Sequence, residues 1–168
     1  MRLIITSLAL VSAALVWAQE KCEAFIDWQY LQPINVYSTP NGEVIGQVRN
    51  DSVAEDFILL EILESKKGHM RVKATMAVSG KTQTGWIKKA DQIGAYYREE
   101  RTPTMDLPLF KSPSSKTPFV VKAWTPGLLS IAQCKGEWVL VSVNQNGSWI
   151  SGWIRSGDLC ANPYTTCN

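Results

Sequence analysis

The side chains with most chemical potential are four cysteines, Cys22, Cys134, Cys160 and Cys167, and one histidine, His69. A cysteine nucleophile needs a thiolate with a base in reach. One histidine cannot serve four cysteines, and an even count behind an export signal reads as disulfides. Zinc is the competing use, but no pair has Cys-x-x-Cys spacing and His69 is distant in sequence from all four. Asp51, Glu55 and Asp56 offer paired carboxylates, which a polar turn explains as well. Neither Gly-x-Ser-x-Gly nor a phosphate-cradling glycine loop occurs. The chain is therefore expected to be no enzyme and to carry neither metal nor cofactor.

Binding chemistry is better represented, in seven tryptophans of which only Trp17 belongs to the leader. Aromatic side chains offer large contact area at little entropic cost, which suits recognition of short peptides. Trp138 alternates with Leu140 and reads as core-facing. Trp86 and Trp153 have two readings: caps on the core, or the lining of a shallow groove with Tyr37 and Phe110. Trp149 sits beside a tight turn and is expected to be a more exposed indole. The candidate ligand-binding residues are thus Tyr37, Trp86, Phe110, Trp149 and Trp153.

The elements that must position these residues recur. Gly85-Trp86-Ile87-Lys88 returns as Gly152-Trp153-Ile154-Arg155, each followed by an aspartate, Asp91 or Asp158. Upstream, Ile34-Asn35-Val36-Tyr37 is answered by Leu107-Pro108-Leu109-Phe110, and Pro40 by Pro113. Matching order at slightly different spacing indicates an internal duplication with shortened loops. Ile34–Tyr37 alternates apolar and polar, Phe57–Leu63 is nearly all apolar, and Met70–Ala74 alternates again, so the last two should pair across a polar Glu64–Gly68 loop. Asp27–Leu31 reads as a lead-in strand or plug. Asn146-Gly147, whose residues tolerate positive φ, is the strongest hairpin signal. Short strands, regular turns and no helical period point to an all-β protein.

A chain of 168 residues accommodates one domain or two small ones, and a formal charge of +2 lacks the basic stripe of a nucleic-acid binder. Arg2, the apolar run Leu3–Val16 and the small residues of Val16-Trp17-Ala18 read as a secretory signal peptide cleaved after Ala18. That run is shorter than the roughly 20 residues a spanning helix needs, so no membrane span is expected after cleavage.

These residues resemble the bacterial SH3-like (Src-homology-3-like) domain family. The first copy offers Asn35-Val36-Tyr37-Ser38, Pro40, Val44-Ile45-Gly46, Arg71-Val72-Lys73 and Thr84-Gly85-Trp86-Ile87. The second offers Ser112-Pro113, Glu137-Trp138-Val139-Leu140-Val141 and Ser151-Gly152-Trp153-Ile154. Tyr37 and Phe110 stand where the family usually has arginine, and Gln92-Ile93 and Leu159-Cys160 replace its Tyr-Leu ending. The resemblance implies two small SH3-like β-barrels in tandem: a first domain over 19–97, a linker over 98–106 and a second domain over 107–168, behind a signal peptide at 1–18. It also implies an exported, non-catalytic module, periplasmic or extracellular, that recognises a peptidoglycan peptide or glycan. The alternative is an envelope protein as partner, in an interaction or inhibitor role. Oligomeric state is left open.

Four cysteines allow three complete pairings. In each of them Cys22 bonds a cysteine of the second repeat, so the two copies are clasped together. Cys134–Cys160 with Cys22–Cys167 is the expected arrangement.

Overall fold

Alternating and β-branched runs punctuated by Gly, Pro, Asn and Asp become thirteen strands, with no α-helix among the described residues. The computed structural model describes residues 22–98 and 102–165. The expected signal peptide and Cys167 lie outside the described residues. The first half comprises β1 (Cys22–Ile26), β2 (Ile34–Tyr37), β3 (Val44–Val48), β4 (Ile58–Lys66), β5 (His69–Met76) and β6 (Thr82–Lys88). β7 (Ile93–Tyr97) follows. The second half comprises β8 (Met105–Leu109), β9 (Phe119–Trp124), β10 (Leu129–Lys135), β11 (Trp138–Gln145) and β12 (Ser148–Arg155), then a 3-10 turn at Ser156–Asp158 and β13 (Leu159–Cys160).

The halves pair alike. β4, β5 and β6 form an antiparallel meander, as do β10, β11 and β12. β2 pairs β3 in the first half and β8 pairs β9 in the second. Even the irregularities repeat, with a register shift between Ile62 and Glu64 in β4 and another between Ile131 and Gln133 in β10. Each bulge adds one residue and bends its strand.

Closure differs from expectation. The strands are not closed into barrels: one sheet runs β12-β11-β10-β7-β1-β4-β5-β6-β2-β3, with β13 on β7, and β8-β9 form a separate ribbon. The reason lies in β7, which pairs with β1 through Phe25↔Gly94 and Ile26↔Ile93, and with β10 through Ser130↔Gly94 and Leu129↔Ala95. It carries the hydrogen-bond ladder from one half into the other. A single core cluster accordingly joins Ile26, Ile58, Leu60 and Met70 to Leu107, Leu129, Val141 and Ile154.

Asp27–Leu31 is a turn rather than a strand, and the lead-in strand lies just before it at Cys22–Ile26. The expected Glu64–Gly68 loop is shorter too. β4 continues to Lys66, which pairs with His69, leaving a turn of Lys67 and Gly68, the latter at φ 74°.

Candidate functional site

The repeated Gly-Trp-Ile motif has a packing cause. In β6 Ile87 is fully buried, and a side chain at Gly85 would collide with Val36 of β2. At Gly152 a Cβ would lie 2.7 Å from Leu109 of β8. Glycine lets the neighbouring strand cross closely, isoleucine fills the core, and the tryptophan between them turns to the opposite face.

On that outward face Trp86 lies in register with Arg71 on β5 and Tyr37 on β2. Residues paired across antiparallel strands share a face. Trp86 is only 7% exposed yet lies outside the core cluster. Its cover is Lys66, whose Nζ stands 4.7 Å from the ring centroid. Lys66 also forms an ion pair with Glu64 at 3.1 Å. Lys88 Nζ lies 5.9 Å from the centroid of the Tyr37 ring, and His69 meets that ring edge-on at 6.4 Å. Lys66, His69 and Lys88 are register partners in one row. His69 is buried, and its Nε2 has no hydrogen-bond partner among the described residues. Leaving such an atom unpaired costs about 1–3 kcal/mol.

The second half builds the same corner with different side chains. Phe110 and Trp153 exchange two backbone hydrogen bonds of 2.7 Å. The ring of Trp138 meets Phe110 edge-on at 5.1 Å, and the Arg155 guanidinium stacks 4.8 Å from the Trp138 ring. Trp138 occupies the register position of His69, and Arg155 that of Lys88. Here the cation is matched, because Glu137 holds Arg155 at 2.7 Å. Trp138 is therefore buried, but not as expected. Val139, Val141 and Val143 face the core, and Trp138 is covered on the opposite face.

The structure thus brings together Tyr37 with Trp86 and Phe110 with Trp153. Trp149 stands apart: it shares a face with Trp153 but lies four residues along β12, about 13 Å away, and is 51% exposed. Sequence reasoning missed Lys66, His69, Lys88 and Arg155; only Lys88 and Arg155 carried a signal, as the basic residue after each Gly-Trp-Ile. Asp51 and Asp56 serve turns. Asp51 accepts from the amides of Val53 and Ala54, and Asp56 from those of Val78 and Ser79.

Cys22 is bonded to Cys134, joining β1 to the end of β10 across a sequence separation of 112. The clasp between the halves is present, but the expected pairing is corrected. The bulge in β10 bends the strand, and Cys134 beyond it reaches Cys22. Cys160 is also disulfide-bonded.

Among the described residues no three His, Cys, Asp or Glu side chains gather to hold a metal, and no helix is long and apolar enough to cross a membrane. Comparison with protein-family models, curated proteins and solved structures finds no match for this chain.

Proposed function

We propose that this protein is an exported, non-catalytic binding module of two SH3-like units that holds a cell-wall peptide or glycan on its outward aromatic corners. The observation carrying this reading is that the same corner is built twice. Tyr37 with Trp86, and Phe110 with Trp153, stand in the same register, each with a ring or imidazole at its edge, and cations lie over Tyr37 and Trp86 in the first half and over the neighbouring Trp138 in the second. Side chains required only for the core would not need to repeat outside it. Oxidised Cys22, Cys134 and Cys160 suit an exported protein and supply no thiolate nucleophile.

Sedimentation with purified peptidoglycan tests the reading. The disulfide-intact protein should appear in the pellet at low and moderate salt, and a protein that stays in the supernatant under both conditions rejects it. A second reading, a protein-interaction or inhibitor module, is favoured by β3. This edge strand exposes Val44 and Ile45, at 51% and 48%, and has an edge open to strand addition. A pull-down from envelope extract that recovers no protein partner counts against it.

A further inference from the structure

The two corners share a framework but not a chemistry. In the second half the cation is neutralised by Glu137, and the row position beside it is the apolar Trp138. In the first half the corresponding position is His69, with an unpartnered Nε2, flanked in register by Lys66, which is paired with Glu64, and by Lys88, which has no carboxylate partner among the described residues. Four cations, Lys66, Arg71, Lys73 and Lys88, share this face with three carboxylates, Glu23, Glu61 and Glu64. An anion entering the row would meet two ammonium groups on exposed, flexible stems and one buried imidazole nitrogen. The half-buried Tyr37 ring lies directly alongside.

We propose that the first-half corner is a receptor for the carboxylate end of a short peptide. The anion pairs with Lys88, draws the exposed Lys66 ammonium from Glu64, and accepts a hydrogen bond from His69 Nε2, in the tautomer that places the proton there. Charge-assisted hydrogen bonds of this kind are the strong ones, and they recover the partner His69 lacks. The peptide body rests on the Tyr37 ring, since aromatic faces take apolar and backbone groups at little entropic cost. This inference rests on the binding-module reading and names the ligand group that one of its two corners takes. The second corner, with its cation already paired, is left for uncharged ligand groups.

The test is a titration of isotope-labelled, disulfide-intact protein followed by NMR, using three probes: trialanine with a free carboxylate, its C-terminal amide, and inorganic phosphate. The free acid should shift the His69 imidazole and Trp86 indole signals saturably. The amide should bind about tenfold more weakly, a loss typical of one charge-assisted contact. Phosphate should be weaker than the free acid because it lacks a peptide body. Lys66→Gln and Lys88→Gln should each weaken the free acid several-fold, whereas Lys116→Gln, which removes an exposed charge in the second half, should leave it unchanged. His69→Gln should also lose affinity, with thermal unfolding recorded to separate that from loss of fold. Equal binding of acid and amide, phosphate as tight as the free acid, or no His69 shift at millimolar peptide overturns the proposal. If peptidoglycan still sediments the wild-type protein in that case, the carboxylate site alone is lost and the binding-module reading stands.

Discussion

Asn50 is a polar side chain buried to 3% exposure, and its hydrogen bonds explain why it is there. Nδ2 donates to the carbonyls of Ile26, Asp27 and Tyr30, and Oδ1 accepts from the amide of Ile58 at 2.9 Å. One side chain thus ties the turn after β1 to the start of β4. Asn50→Ala leaves the buried Ile58 amide without its acceptor and should cost about 1–3 kcal/mol in urea unfolding. Asp56 works similarly for the β5–β6 connection. A hydrogen bond from the Ser79 hydroxyl, then the Val78 and Ser79 amides and the charge of Lys81, hold its carboxyl below the usual range against the opposing effect of burial. A folded-state pKa below the unfolded one adds stability above the unfolded value, near pH 4, and that stability disappears as pH falls through the lowered value. Asp56→Asn should therefore flatten the acid side of a stability–pH curve and leave its slope near neutrality unchanged.

The bulge in β4 decides which side chains reach the outward face. Leu63 is the inserted residue, and beyond it Glu64 and Lys66 point with Arg71 and His69. Deleting Leu63 removes the unpaired residue and restores a simple period of two, with Glu64 still opposite Arg71 and Lys66 still opposite His69, so both keep the outward face. Trp86 should then keep its lysine cover and the fluorescence of a shielded indole, and a shift toward that of a solvent-exposed indole contradicts this register. The same bulge limits what the sequence reveals. Glu64, Ser65 and Lys66 read as loop because they are polar, and no local pattern announces that a register shift keeps them in the strand. β9 was hidden in another way. Phe119–Trp124 has only two fully buried residues and a break at Ala123, φ 49°, so its alternation is lost. What could be read was the duplication, because close strand crossing imposes glycine and core filling imposes isoleucine at both sites. Asn146-Gly147 was equally plain, and both residues take positive φ, 53° and 82°. Tyr37 and Trp86 came together as read, whereas His69 and Lys66 needed the register to bring them there.

Across the whole molecule the Cys22–Cys134 bond closes a loop spanning 112 positions. In the chain-entropy view a closure of this length stabilises by about 4–5 kcal/mol. The paired change Cys22→Ser and Cys134→Ser should lower urea stability by up to that amount, with both bulges and both aromatic corners retained at low denaturant. Non-reducing peptide mapping should recover Cys22 linked to Cys134 in one chain. A free thiol at Cys22, or a bond to a second molecule, contradicts the clasp.

Strand β7 also sets an order of events. Its Ile93 and Gly94 complete the pairing of β1, and its Gly94 and Ala95 await β10, which begins only at Leu129. As the chain emerges from its N-terminus, the first half gains its closing strand and, with it, an unpaired edge that stays bare for some thirty residues of further elongation. A fragment ending at residue 98 should therefore form sheet and self-associate through that edge. A fragment ending at residue 136 contains β10 and Cys134, and can cover the edge and lock it with the first disulfide. The second half thus grows on a template that the first half has already laid down.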